Sequence, residues 1–125
     1  MKISAVELYL FDVPLPNPLA NPLTSGTTIA TILAVVRTDE GVSGQGYGWT
    51  VGAQRAKFIT GATEVAAQFA LGRDPLRMEA IWSDYEGFSN FVGTGGLATM
   101  AMSILDIAFW DIACRAVNLP LWRML

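Results

Sequence analysis

No histidine occurs among the 125 residues, so no imidazole metal ligand, His-based triad or His general base can be assembled from this chain. Cysteine occurs once, at Cys114, which excludes an internal disulfide framework and a paired-thiol zinc or redox motif. Lysine is nearly as scarce, with only Lys2 and Lys57. A formal net charge of −3 and a pI near 4.7 leave no basic stripe, so neither nucleic acid nor an anionic membrane surface is expected as a partner. Charged residues make up only 15% of the chain and hydrophobic ones 52%, with a mean hydropathy of +0.39. One domain of this size leaves much of its surface in water, so the surplus implies either a well-filled core or an outside partly covered by something else. The stretch from Gly87 to Leu105 has no charged side chain, yet Ser89, Asn90, Gly93, Gly95 and Gly96 interrupt it and Asp106 follows directly, so no membrane span is read there. At the N-terminus, Glu7 and Asp12 break any signal-peptide core, and a reducing, cytoplasmic setting is expected.

What the chain has in quantity is apolar helix. Leu97 to Val117, LATMAMSILDIAFWDIACRAV, is rich in Ala, Leu and Met, follows Thr94-Gly95-Gly96, and must stop before Asn118 and Pro120. Apolar residues on almost every face mark it as buried. Its polar residues form two narrow stripes, Thr99, Ser103 and Asp106 on one line and Asp111, Arg115 and Asn118 on another. Five positions apart, Asp106 and Asp111 lie roughly 140° from one another around the helix and cannot chelate one metal together. The plain expectation is that each is a hydrogen-bonded or ion-paired acid at a packing interface, Asp111 pairing with Arg115 one turn on.

Ile3 to Val13 reads as a strand, and Pro14, Pro16, Pro18 and Pro22 then predict an irregular loop to about Ser25. Thr28 to Thr38 is a second strand, with Ile32, Ala34 and Val36 on one face and Ile29, Leu33 and Val35 on the other, both expected to be largely buried. Asp39-Glu40-Gly41 is turn chemistry, Gly41 supplying the positive φ, and Val42 to Tyr47 returns as a third strand. From Ala53 to Leu71 the period is helical, with Phe58, Ile59, Val65, Phe69 and Leu71 as inward candidates and Gly61 as a weak point. Gly72 fits a C-terminal cap, Asp74 an N-cap, and Pro75 the first position of a helix to about Phe88 that buries Met78, Ile81, Trp82 and Tyr85. Leu121 to Leu125 begins another turn.

Two glycine-rich stretches raise a phosphate-binding reading, and spacing disposes of the first. After Gly44-Gln45-Gly46 a third glycine at dinucleotide spacing would occupy position 49 or 51, which hold Trp49 and Val51. Gly93-Thr94-Gly95-Gly96 precedes a helix but follows no strand, and no lysine comes after it.

Three patterns together, GRDP at Gly72 to Pro75, TDEGVSGQG at Thr38 to Gly46 and SILDIAFWDIACRAVNLPLWRML at Ser103 to Leu125, resemble the N-terminal domain of the mandelate racemase and muconate lactonizing enzyme group of the enolase superfamily. The likeness covers practically the whole chain. Its most specific part is the order Ser103, Asp106, Ala108, Trp110, Asp111 within one helix. The resemblance implies an α+β capping domain over residues 1–125, a three-stranded antiparallel meander followed by a bundle of about three helices. Many members of the group end the third strand with Gly-x-Gly-Glu, whereas Tyr47 follows Gly46 here, which is closer to the mandelate racemase branch. There, a tyrosine after the third strand reaches the substrate and the loop after the first strand closes over it. The resemblance therefore makes Leu19, Leu23, Tyr47 and Trp49 the substrate-binding candidates, each with loop anchoring as the alternative.

The group abstracts the proton α to a carboxylate with the help of a divalent cation, normally Mg²⁺, and its members include racemases, acid-sugar dehydratases and cycloisomerases. The resemblance places the acid, base and metal ligands on a (β/α) barrel after this domain, so neither catalytic residues nor metal ligands are expected in this chain. The expected partners are that barrel, a small carboxylate substrate and further copies of the enzyme. The alternative, from a different functional class, is a self-standing protein-binding or oligomerisation domain.

Overall fold

The computed structural model describes residues 1–21 and 24–125. It is the α+β arrangement expected, a three-stranded antiparallel sheet in the order β1-β2-β3 followed by helices. The strands are β1 (Ile3–Asn21), β2 (Thr24–Thr38) and β3 (Ser43–Thr50), and the helices α1 (Ala53–Ala70), α2 (Met78–Ser89), α3 (Leu97–Ala116) and the short α4 (Leu121–Met124).

The proline-rich segment is not the irregular loop that its composition predicts. β1 runs through it and pairs with β2 as one long ribbon whose register slips between Pro14 and Leu19. Pro14 lies opposite Thr28 and Leu19 opposite Gly26, so residues 15–18 bulge against Thr27 alone. Pro16 and Pro18 fall inside that bulge, where their missing N–H groups cost no ladder bond, and β1 is an edge strand with one side free in any case.

The turn between β2 and β3 is as read, with Gly41 at φ +81°. β3 then runs three residues further than predicted, which places Tyr47 and Trp49 on the strand rather than in a loop after it. The face of β2 carrying Ala30, Ile32, Ala34 and Val36 is sealed, whereas on the other Thr31 is buried and Ile29, Leu33 and Val35 are half-buried.

α1 departs from its predicted stripe. Ile59 is buried, but the rest of the inward face is made of Ala56, Thr63, Ala66, Ala67 and Ala70, and Phe58, Val65 and Leu71 are exposed. Small residues let α1 and α3 approach closely, so the bulky side chains turn outward. Gly72 takes φ +74° just past the helix end, and the Asp74 carboxylate accepts a 3.0 Å bond from the Leu76 N–H, capping a short 3₁₀ turn (Pro75–Arg77) that leads into α2. In α2, Ile81 and Tyr85 are buried and Met78 and Trp82 half-buried, as the periodicity predicts.

α3 is the centre of the packing. By length and composition it could cross a bilayer, yet here Ala101, Met102, Leu105, Ala108, Phe109 and Ile112 are wholly sealed within this domain. Each such large apolar side chain contributes roughly 1.5–3 kcal/mol by leaving water. The helix ends where Asn118 adopts φ +53° ahead of Pro120. The carboxylates behave as interface acids. Asp106 accepts a 2.8 Å bond from the Trp82 indole N–H, and Asp111 pairs with Arg115 at 2.9 Å.

Candidate functional site

The site is built on β3, and its glycines explain how. Gly44, Gly46 and Gly48 recur at the strand period of two, so all three face α3. A Cβ at Gly44 would collide with the Ala108 carbonyl oxygen and the Ile112 backbone, one at Gly46 with the Ile104 carbonyl oxygen and the Ala108 nitrogen, and one at Gly48 with the Ile104 side chain at 2.8 Å. The strand therefore lies backbone-to-backbone on the helix, and the glycines serve packing, not phosphate binding. At this separation the Asp111 carboxylate reaches the free edge of β3 and accepts the Gln45 N–H at 2.9 Å. Its other oxygen holds Arg115, whose own charge is stabilised by that hydrogen bond, raising its pKa above the ordinary value.

The opposite face of the sheet carries the candidates. Glu7, Val35 and Gln45 form one row across the three strands, Tyr9, Leu33 and Tyr47 the next, and Phe11, Thr31 and Trp49 a third. Tyr47 is 61% exposed and Trp49 54%. Below Tyr47 a cleft of about 700 Å³ opens between β3 and the C-terminal end of α3, lined among others by Leu33, Gln45, Ile107, Asp111 and Arg115. The structure thus brings Tyr47 and Trp49 together on one face. Leu19 does not join them. It is half-buried far out on the ribbon, opposite Gly26, and seven residues along β2 from Leu33 correspond to roughly 23 Å. Leu23 lies outside the described residues.

Residue-by-residue reading of the sequence did not find the polar corner of this face. The Glu7 carboxylate takes both Nε and Nη2 of Arg37, at 2.8 and 3.1 Å, and the Tyr9 hydroxyl at 2.8 Å. The Arg37 hydrogen bonds, followed by that from Tyr9, hold the Glu7 carboxyl at a pKa of about 2, against its usual 4.5. A depressed carboxyl stabilises the fold above its unfolded pKa and loses that contribution as pH falls through the folded one, so the loss belongs between about pH 4.5 and pH 2. An NMR titration should place the Glu7 midpoint near 2 and return it toward 4.5 in Arg37→Leu; a wild-type midpoint already at the usual carboxylate value would dissolve the cluster. Nothing in local sequence signals this trio. The glycine ladder, by contrast, leaves a signal in the sequence, its period of two, although spacing alone does not tell which face it serves.

Among the described residues, no three His, Cys, Asp or Glu side chains come together as a metal-binding set. The acids of this site are already engaged, Asp111 with Gln45 and Arg115, and Glu7 with Arg37 and Tyr9.

Comparison with known proteins identifies the arrangement. The chain is 33% identical over 123 residues to a 3,6-anhydro-α-L-galactonate cycloisomerase of Streptomyces coelicolor, covering 98% of this chain and 34% of that protein. It is 32% identical over 90 residues to a D-galactonate dehydratase of Variovorax paradoxus, covering 72% of this chain and 23% of the relative. Among solved structures, L-talarate/galactarate dehydratase from Salmonella typhimurium superposes with a TM-score of 0.88 at 29% identity over 98% of this chain and 32% of that one. A racemase from Streptomyces coelicolor with bound magnesium gives a TM-score of 0.88 at 30% identity, over 98% of this chain and 34% of that one. The chain thus spans about a third of the length of these full-coverage relatives. The model of the mandelate racemase / muconate lactonizing enzyme N-terminal domain matches residues 5–125, and with the sheet, the glycine-seated third strand and the buried α3 in place, the chain belongs to that family of the enolase superfamily.

Proposed function

We propose that this chain is the substrate-capping domain of a longer, Mg²⁺-dependent cytoplasmic enzyme that abstracts the α-proton of a small carboxylate, of racemase or acid-sugar dehydratase type. A (β/α) barrel after Leu125 would carry the acid, base and metal ligands. The observation that carries this reading is a rigid aromatic edge beside an open cleft. Tyr47 and Trp49 stand on a strand fixed by backbone contact and by Asp111, next to the uncovered apolar surface of α3 and α4, where Trp122 is 73% exposed. Family membership supports the same assignment, since relatives of this domain include dehydratases and a racemase with bound magnesium.

Abstraction of a weakly acidic proton builds negative charge that a cation supplies the means to hold. No group of this chain is assigned to the cation. Its own part is to cover the substrate, exclude water and offer the Tyr47 phenol as one hydrogen-bonding group at the edge of an apolar lid. The ribbon of β1 and β2, with Leu19 on its outer part, is the element that would close; Leu23, outside the described residues, is the second candidate of this segment. Leu19 lies far from Tyr47 within this domain, so the two would meet the substrate from different sides. The enzyme would be a homo-oligomer.

In the full-length enzyme, Tyr47→Phe should reduce kcat/KM by the equivalent of about 0.5–1.5 kcal/mol, one neutral hydrogen bond, with the melting temperature unchanged. A variant that melts earlier but turns over normally would make Tyr47 a structural anchor and remove it from the site.

A further inference from the structure

The ribbon of β1 and β2 loses two supports at nearly the same place. Among the described residues, β2 pairs with β3 only from Arg37 back to Ala30, so from Ile29 outward the ribbon has two strands and no third to back it. Two-stranded ribbons are marginal on their own. The pairing of β2 with β1 runs unbroken only as far as Thr28 opposite Pro14, and resumes at Gly26 opposite Leu19 after residues 15–18 have bulged against Thr27. A bulge leaves its extra residues unpaired and bends the strand, and Pro14, Pro16 and Pro18 remove three N–H donors from the same stretch. The inner ribbon is fixed, because Ala30, Ile32, Ala34 and Val36 lie in the core. The outer arm, residues 19–21 paired with 24–26, is joined to it through the unpaired stretch.

On its way back the outer arm meets the end of β3. A Cβ on Gly26 would lie 3.3 Å from Cγ1 of Val51 and 3.5 Å from the Thr28 carbonyl oxygen, so a Val51 methyl already sits against bare backbone. Val51 is itself held: its carbonyl accepts a 3.0 Å hydrogen bond from Nη1 of Arg55, and Gly52, at φ +92°, turns the chain into α1 directly after it. A fixed side chain two residues past Trp49 thus bears on the arm that carries Leu19. We propose that residues 15–18 are a pivot about which the outer arm turns as a unit, and that Val51 is the stop on which Gly26 seats, setting how far the arm closes toward the Trp49 edge. The use of this device rests on the capping role proposed above, in which the fraction of closed molecules sets the apparent affinity for substrate. Val51 and Gly26 are then positioning residues, acting on the substrate through Leu19 and not by touching it.

Distances between paired spin labels, read by pulsed electron paramagnetic resonance, test it. In a Cys114→Ser background the chain carries one label on the outer arm, at Ala20→Cys, and one on α1, at Lys57→Cys, both exposed positions. A control pair joins Lys57→Cys to Asp12→Cys, which lies opposite Ala30 on the inner ribbon. Gly26→Val should move the outer-arm distance by about 2 Å, since carbon atoms pack at about 3.5–4.0 Å and the added methyls reach beyond a Cβ that is already 3.3 Å from Val51. The control distance should not change. Val51→Ala added to Gly26→Val should return the arm to its original distance, and all variants should melt with the labelled parent, because neither residue belongs to the buried core. A control distance that changes along with the other would mean that the ribbon bends as one piece, without a pivot at the bulge. An outer-arm distance untouched by Gly26→Val, or not restored by Val51→Ala, would remove Val51 as the stop, and a Gly26→Val chain that melts earlier would make the outer arm part of the core. Each of these overturns the proposal and leaves the capping assignment standing, because neither substrate nor barrel enters the measurement.

Discussion

Gly46→Ala is expected to destabilise the chain by about 3 kcal/mol, at the upper end of what overpacking costs, and to lower the melting temperature by roughly 10–20 °C for a domain of this size. The added methyl would meet the Ile104 carbonyl oxygen and the Ala108 nitrogen. Both are helix backbone, so no side chain can rotate away to make room. Either β3 lifts off α3, which breaks the 2.9 Å bond from Gln45 to Asp111, or α3 shifts and loosens the core around Phe109. Gly61→Ala is the control. Gly61 is also a glycine in a regular element, but a Cβ there meets nothing within 4 Å, and a helix interior gains about 0.5–1 kcal/mol from the exchange. Thermal unfolding of the two variants should therefore move in opposite directions. A Gly46→Ala chain that melts with the wild type would show that β3 does not rest on the helix backbone.

Phe109→Ala should cost about 3–5 kcal/mol, the range for removing a large aromatic from a core. Phe109 is fully enclosed and is the largest of the completely buried side chains. The core cluster to which it belongs also contains Ile32, Met102, Leu105 and Ile112, all at 0% exposure. α3 is itself held against β3 by the glycine contacts at Ile104, Ala108 and Ile112, so movement of the helix into the cavity is limited and the cost should not relax away. Chemical denaturation should show the midpoint falling with the slope unchanged. A loss below about 1 kcal/mol would mean that α3 is not the helix around which the domain is packed.

These two expectations differ in how visible they were beforehand. α3 was legible from composition, because a helix apolar on nearly every face can only be buried. Gly41, Gly72 and the Asp74-Pro75 pair were legible because each has one local conformation that suits it. The ribbon through Pro14, Pro16 and Pro18 was not. Local rules read prolines as loop, and only tertiary pairing, with a bulge of residues 15–18 against Thr27, shows that an edge strand accommodates them. The burial of α1 was misread for a related reason. Periodicity alone turns large apolar residues inward, whereas close approach to α3 selects alanine and turns Phe58 and Val65 to the outside. For the candidate site, the family resemblance points to Leu19, Leu23, Tyr47 and Trp49, of which Tyr47 and Trp49 share one sheet face, Leu19 lies far out on the ribbon and Leu23 falls outside the described residues. The acid that fixes the strand of Tyr47 and Trp49, Asp111, could not be assigned to Gln45, because 66 positions separate the two. The Glu7, Tyr9 and Arg37 cluster escaped likewise, its arginine lying 30 residues from the glutamate it holds.

The capping assignment is tested most directly by the size of the native protein in the cell that makes it. Antibody raised against this domain should detect a single polypeptide about three times the 13.5 kDa of this chain, as 34% coverage of its relatives implies, and its sequence beyond Leu125 should carry a Lys-x-Lys strand and spaced Asp and Glu ligands of a (β/α) barrel. A cell that contains only a 13.5 kDa species, with a stop codon directly after Leu125, would contradict it and leave a self-standing binding domain in its place.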